Sequence, residues 1–222
     1  MEDRQSGRWV IFCGGPIGRY EDVRQALAPG DRIVCADRGL RHAEILGLRP
    51  DLVLGDFDSY EGSLPTDVEC LRLPVHKDDT DTHFAVGEGL RRGYKDFLLC
   101  GAMGGRPDHS FSNLCSLKAI DEAGGRGKIL TDGGFITLIT DGCLELQRVE
   151  GAYVSIFPFG GDAEGVTLEG FQYPLTNYHM RTSIPIGVSN EQAAEVSRVY
   201  VKKGTLLVMV TVEARLKKDA SL

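Results

Sequence analysis

Apolar and polar positions alternate on two different rhythms along this chain. Up to about residue 139, short apolar runs are separated by amphipathic stretches of 8–14 residues. RWVIFCGG, DRIVCAD, DLVLGDFDS, KDFLLCGAMGG and GKILTDG read as buried strands, with DVECLRLP as a further one. YEDVRQALAPG, RGLRHAEILG, TDTHFAVGEGLRRG and DHSFSNLCSLKAIDEAGG read as helices between them. Their stops are chemically explicit: Gly47 stands where a left-handed cap belongs, and Gly93 ends the third helix. In the last helix Phe111, Leu114 and Cys115 fall at i, i+3, i+4 and predict its core face. Continuous apolar strands alternating with helices mean a parallel sheet covered on both faces.

From about residue 140 the rhythm changes to period two, in AYVSIFPFGG, GVTLEGF and VYVKKGTLLVMVTVEARL. KKGT between two alternating runs predicts a hairpin. The expected organisation is an α/β domain over 1–140 followed by a smaller antiparallel β domain over 141–222, with no flexible linker.

Ligands of an open parallel sheet sit at the carboxyl ends of its strands. Candidate chemistry collects there: Gly14-Gly15-Pro16 after the first strand, Asp37 after the second, Asp56 and Asp58 after the third. Lys77-Asp78-Asp79-Thr80-Asp81 and Gly104-Gly105-Arg106-Pro107-Asp108-His109 each lead into a helix. In an extended strand Asp56 and Asp58 would share one side and Phe57 the other. Taken singly, each motif has an ordinary explanation as a turn, a cap or a solvated acid, Thr80 and Asp81 as an N-cap and its first turn included. Acids gathered at several strand ends repel one another, and a divalent cation removes that conflict. Mg²⁺, held by one or two carboxylates together with phosphate oxygens, fits. Glycine loops, helix N-termini and Arg106 then suit phosphate, so the pattern points to metal-assisted phosphoryl or diphosphoryl transfer.

Composition narrows the classes. The chain has 222 residues, 42% of them hydrophobic, and a net charge of −7, which speaks against nucleic acid as a partner. Its six cysteines include no CxxC pair, and several lie inside apolar runs, as small buried hydrophobes do in a reducing compartment. With no leader-like or membrane-length apolar run, the expected location is cytoplasmic. GxGxxG is broken by Cys13, and neither GxxxxGK[ST] nor GxSxG occurs, so a dinucleotide enzyme is disfavoured and no P-loop kinase or serine hydrolase is visible. His42, His76, His83, His109 and His179 have no metal-ligand spacing and read mostly as surface or supporting residues.

ADRGLRHAEILGLRPDLVLGDFDS, KDDTDTHFAV and GAMGGRPDHSFSNL, in this order, with GFQYPL and GVSN later, resemble the thiamine pyrophosphokinase family over roughly residues 10–210. The resemblance implies an α/β ATP-binding domain and a β-sandwich thiamine-binding and dimerisation domain. It also implies transfer of the terminal diphosphate of ATP to the thiamine hydroxyl, with AMP released by a homodimer. It assigns Asp37, Asp56, Asp58 and Asp81 to Mg²⁺ and the ATP phosphates, and Thr80, Arg106 and Asp108 to the surroundings of ATP, which Gly14, Gly15 and His109 join from the loops above. Asp56, Asp81 and Asp108 become the catalytic candidates, with Asp56 or Asp81 as acceptor of the hydroxyl proton. Ser189 and Asn190 match the pair beside the thiamine pyrimidine. Arg38 replaces a common glycine and His83 a common glutamate. The single tryptophan is Trp9, so Tyr173 or Tyr178 is left to stack on thiamine. A diphosphokinase for another hydroxymethyl heterocycle such as a pterin, or a binding module without turnover, are the alternatives.

Overall fold

The computed structural model describes residues 7–57, 65–74 and 79–212. The described chain divides into two compact units between Thr131 and Asp132.

The first unit is a six-stranded parallel sheet with helices. Its strands are β1 (Trp9–Phe12), β2 (Arg32–Ala36), β3 (Leu52–Gly55), β4 (Glu69–Arg72), β5 (Asp96–Cys100) and β6 (Arg126–Thr131), in spatial order β6-β5-β1-β2-β3-β4. Every pairing among them is parallel. The helices are α1 (Tyr20–Ala26), α2 (Leu40–Leu46), α3 (Asp81–Arg91) and α4 (Pro107–Glu122). β1 and β3 are buried along their whole length, as unbroken apolar runs demand when helices cover both faces. The strand order jumps between β1 and β5, and ligand crevices in such sheets open at reversals of this kind.

Local chemistry sets the helix ends. Gly47 caps α2 at φ +67, and Thr80 caps α3, its hydroxyl accepting from the His83 N–H at 3.2 Å. The core face of α4 differs from expectation. Asn113, Leu114, Ser116, Leu117 and Ile120 are buried, whereas Phe111 and Cys115 are exposed. Two polar residues point inward because both have work there: Asn113 Nδ2 donates to the Ala102 carbonyl at 2.7 Å, and Ser116 Oγ to the Ser112 carbonyl at 3.2 Å. Cys13, Cys35 and Cys100 are buried, and burial raises all three thiols, that of Cys13 to about 12, so they are inert packing groups.

The second unit is a β-sandwich. One sheet has the order β12-β9-β14-β7, from β7 (Gly134–Thr140), β9 (Ala152–Pro158), β12 (Asn190–Glu191) and β14 (Thr205–Val212). The other is β11-β10-β13-β8, from β8 (Cys143–Gln147), β10 (Ala163–Glu169), β11 (Leu175–Met180) and β13 (Val196–Tyr200). All these pairings are antiparallel. Ile156, Leu206 and Val208 of the first sheet meet Val166, Leu168, Met180 and Val199 of the second in one buried core. The unit begins earlier than residue 141 because β7 pairs with β14 along its length, Thr140↔Thr205 to Gly134↔Thr211. The KKGT hairpin does not form: β13 and β14 lie in different sheets, and the turn is an arch between them. It is held by the Gly204 N–H donating to Asp141 Oδ1 at 2.7 Å.

Candidate active site

The first unit contains a cleft of about 420 Å³ lined by residues from four strand-to-helix connections. The β1 end supplies Cys13, Gly14, Gly15 and Pro16, and the β2 end supplies Asp37 and Arg38. The α3 entry supplies Asp79, Thr80, Asp81 and Thr82, and the turn between β5 and α4 supplies Gly101, Ala102, Gly104, Gly105, Arg106 and His109.

Backbone packed directly on backbone builds the glycine wall. Cys13 N–H donates to the Cys100 carbonyl at 2.8 Å, and Gly15 N–H to the Gly101 carbonyl at 2.9 Å. A Cβ at Gly15 would lie 2.6 Å from that same oxygen, so no side chain fits. The first turns of α3 and α4 border this region, and the positive ends of their dipoles favour anions there.

Asp37 takes a left-handed backbone, φ +47, in a one-turn 3₁₀ segment, Asp37–Gly39. Its Oδ1 is withdrawn from solvent, and Oδ2 lies 4.0 Å from Arg38 Nε. Arg106 is exposed and paired with Asp108, Nη2 to Oδ2 at 2.6 Å. That guanidinium, with the His109 N–H, holds the Asp108 carboxyl below its usual range.

The structure therefore brings Asp37, Asp81, Gly14, Gly15, Thr80, Arg106 and His109 around one volume. Asp108 lies between the lining residues Arg106 and His109, and Asp56 follows Gly55, which packs against Asp37, but neither acid is itself a lining residue. β3 ends at Gly55, and Phe57 turns left-handed at φ +60, so Asp56 and Phe57 do not continue the strand and its alternation stops there. Phe57 packs on the core, 5.8 Å beneath the Arg72 guanidinium. Asp58, His76, Lys77 and Asp78 lie outside the described residues. Among the described residues no three His, Cys, Asp or Glu side chains form a ready-made metal cluster. Hard oxygens at Asp37 and Asp81 on a phosphate-friendly wall do fit Mg²⁺, which takes few protein ligands.

Arg38 and Asn113 are lining residues that motif reasoning did not assign to the cleft. Arg38 stands in ADRG as a departure from a common glycine; a buried asparagine on a helix carries no signal in one sequence. His83 bonds Ser116 Oγ through Nδ1 at 3.1 Å and so ties α3 to α4.

Ser189 and Asn190 belong to the second unit. Ser189 is exposed, left-handed at φ +53, and its N–H donates to Ser155 Oγ at 3.0 Å. Asn190 is buried with its amide occupied: Oδ1 accepts from the Tyr173 N–H at 3.0 Å, and Nδ2 donates to the Tyr173 carbonyl at 2.8 Å. Asn190 thus holds Tyr173, a residue 66% exposed. Tyr178 packs partly against the sandwich core.

Both units match family models: residues 23–125 the thiamin pyrophosphokinase catalytic domain, and residues 143–206 the thiamin pyrophosphokinase vitamin B1 binding domain. Thiamine pyrophosphokinase of Bacillus subtilis (strain 168) is 26% identical over 205 residues, spanning 90% of this chain and 96% of that protein. The crystal structure of thiamine pyrophosphokinase from Bacillus subtilis superposes with a TM-score of 0.84 at 23% identity, covering 93% of this chain and 99% of the other. That of thiamin pyrophosphokinase from Geobacillus thermodenitrificans gives 0.77 at 28% identity, covering 92% and 97%. A parallel-sheet domain followed by a β-sandwich is the fold that these structures share with this chain. The chain belongs to the thiamin pyrophosphokinase family and is a thiamine diphosphokinase. Among the described residues no helix is long and apolar enough to cross a membrane.

Proposed function

We propose that this chain transfers the terminal diphosphate of ATP to the hydroxyl of thiamine, giving thiamine diphosphate and AMP. One observation carries the reading: two glycine-lined turns, two helix N-termini, two arginines and the carboxylates of Asp37, Asp79 and Asp81 face a single cleft. Such a mixture suits a polyphosphate with its cation better than an apolar ligand.

The thiamine oxygen attacks the β-phosphorus, the bond between the β-phosphorus and the α–β bridging oxygen breaks, and AMP leaves. The hydroxyl proton passes to a carboxylate, Asp81 on the cleft wall or Asp56 at the adjoining strand end. Asp37 and Asp81 would hold Mg²⁺, with Asp56 and Asp58 of the GDFDS motif as the further candidate ligands, and the metal would neutralise charge on the phosphates. Arg106 exchanges Asp108 for a phosphate, and Thr80, Gly14, Gly15 and His109 line the nucleotide's path. Catalysis of this kind comes mainly from positioning and charge stabilisation.

In the second unit Asn190 serves thiamine indirectly, by fixing Tyr173 as the exposed aromatic for the thiazolium-bearing substrate, with Ser189 close in sequence. The protein acts as a homodimer, for which the exposed Ile184, Ile186 and Val188 offer apolar surface. The test mixes pure protein, ATP, Mg²⁺ and thiamine and separates the products. AMP and thiamine diphosphate in equal amounts are expected, and ADP as the nucleotide product would overturn the assignment.

A further inference from the structure

We propose that His42 and Tyr20 form a positioning relay that fixes the glycine wall of the cleft by holding the Gly15 carbonyl; this rests on the reading of that cleft as a nucleotide site. Neither residue lines the cleft. His42 lies in α2 and Tyr20 opens α1, so the relay joins two helices to the turn after β1.

The geometry fixes where the hydrogens are. His42 Nε2 is 2.8 Å from the Gly15 carbonyl oxygen, which can only accept, so Nε2 carries a hydrogen. Tyr20 Oη is 2.7 Å from Nδ1. In a neutral imidazole protonated at Nε2, Nδ1 is an acceptor, and the phenol donates to it. Burial is the main influence on the ring and disfavours its charged form, against the bond to Gly15, while Arg41 adds a smaller repulsion. The Tyr20 ring lies 5.7 Å from that of His42, so the pair packs as well as bonds.

Gly15 then has both backbone groups engaged, its N–H by the Gly101 carbonyl and its C=O by His42. The imidazole also fills the space behind the second turn, since a Cβ on Gly101 would come 3.3 Å from Nε2. Both glycine turns of the cleft are thus braced from one side by one ring. Gly14, whose neighbour is held in this way, presents its backbone to the cleft in a set direction without needing to be ordered by the ligand.

The test titrates ATP with Mg²⁺ into the intact protein without thiamine, for the unaltered chain and for His42→Ala, His42→Gln, Tyr20→Phe and the Tyr20→Phe/His42→Ala double variant. His42→Ala is expected to weaken ATP binding about 5–10-fold, the scale of one lost hydrogen bond plus loop ordering. In turnover its effect should fall on KM for ATP rather than on kcat. His42→Gln, which keeps a donor of similar reach, recovers part of the loss. Tyr20→Phe gives a smaller loss, and the double variant is no worse than His42→Ala alone. A long-range ¹H–¹⁵N spectrum of the unaltered protein at neutral pH should show His42 as the Nε2–H tautomer. If the unaltered protein does not bind ATP, the reading of the cleft fails and takes this proposal with it. If it binds and His42→Ala binds within twofold, only the relay is refuted. Should His42→Ala fail to fold, an Nδ1–H tautomer in the unaltered protein, or unchanged affinity in Tyr20→Phe, refutes it instead.

Discussion

A Cβ built on Gly55 would stand 3.1 Å from the Asp37 Cα and 3.2 Å from its Cβ. The end of β3 therefore touches the backbone that carries a cleft carboxylate, and Gly55, at φ +153, leaves room for it. Gly55→Ala should push the two strand ends apart at a cost of about 1–3 kcal/mol and weaken ATP–Mg²⁺ binding along with it. Denaturant unfolding and a binding titration on the same preparation measure both, and a variant that keeps wild-type values in each would show that Asp37 is placed by something else.

Asp37 is well suited to an isosteric probe, because asparagine tolerates its left-handed backbone. Asp37→Asn, Asp56→Asn and Asp81→Asn should leave the circular-dichroism spectrum unchanged. Asp81→Asn is expected to lower turnover at least ~100-fold, through loss of metal and proton acceptor. Asp56→Asn is expected to cause a comparable loss, and full activity in both variants would remove the assigned role. Chelation of Mg²⁺ by excess EDTA should abolish AMP release in the unaltered enzyme.

Arg106 and Arg38 flank the cleft with different bonds. Arg106 is paired at 2.6 Å with Asp108, whereas Arg38 reaches Asp37 only at 4.0 Å. Both Arg106 and Asp108 are well exposed, so Asp108→Asn should leave stability unchanged. Arg106→Ala should raise the Kd for ATP about tenfold at low salt, and less at high salt. Arg38→Gly, the residue common in the family, should have a smaller effect. Titrations at two ionic strengths separate the three.

Tyr173 and Tyr178 differ in exposure, and that difference decides between them. Tyr173→Ala should raise KM for thiamine several-fold and leave KM for ATP unchanged, while Tyr178→Ala should chiefly lower the melting temperature by opening the sandwich core. Equal thiamine KM values for Tyr173→Ala and the unaltered enzyme would remove the aromatic contact.

A buried acid anchors α3. Glu88 accepts from Arg91 at 2.7 Å and Arg92 at 2.6 Å, and Arg92 reaches on to Glu69 at 2.6 Å while lying over Trp9. Arg91 and then Arg92 hold the Glu88 carboxyl below its ordinary value. A depressed carboxylate stabilises above its unfolded value, about 4.3, and loses that contribution as pH falls through the folded one. Unfolding free energy should therefore drop in that acid range. Glu88→Ala should lose about 2 kcal/mol at neutral pH and show a flatter acid slope, as read from denaturant midpoints across pH.

The parallel sheet and the caps at Gly47 and Thr80 were legible because they rest on local chemistry, but the end of β3 was not, since the apolar run gives no sign that Phe57 turns left-handed after Gly55. The face of α4 was not, since Asn113 and Ser116 look like solvent-facing residues until their backbone partners are known. Phe111 attracts attention as a core residue, yet lies outside. KKGT does mark a chain reversal, but period-two patterning cannot say whether the next strand joins the same sheet or crosses to the other. GVSN was found as a motif, while the use of Asn190 to hold Tyr173 depends on a contact 17 residues away. His42 gave no signal at all, because nothing in RGLRHAEILG foretells a carbonyl 27 positions earlier.

The position of β14 bears on how the protein is made. β7 and β9 are never adjacent; the strand between them is β14, which a ribosome supplies more than sixty residues after β7. The strands of the parallel sheet are complete by Thr131 and can pair while translation continues, but the β7–β14–β9 core of the sandwich must wait for its central strand. During that interval the nascent chain carries exposed strand edges, and this is the stage of its biogenesis at which chaperone binding or misassociation would be concentrated.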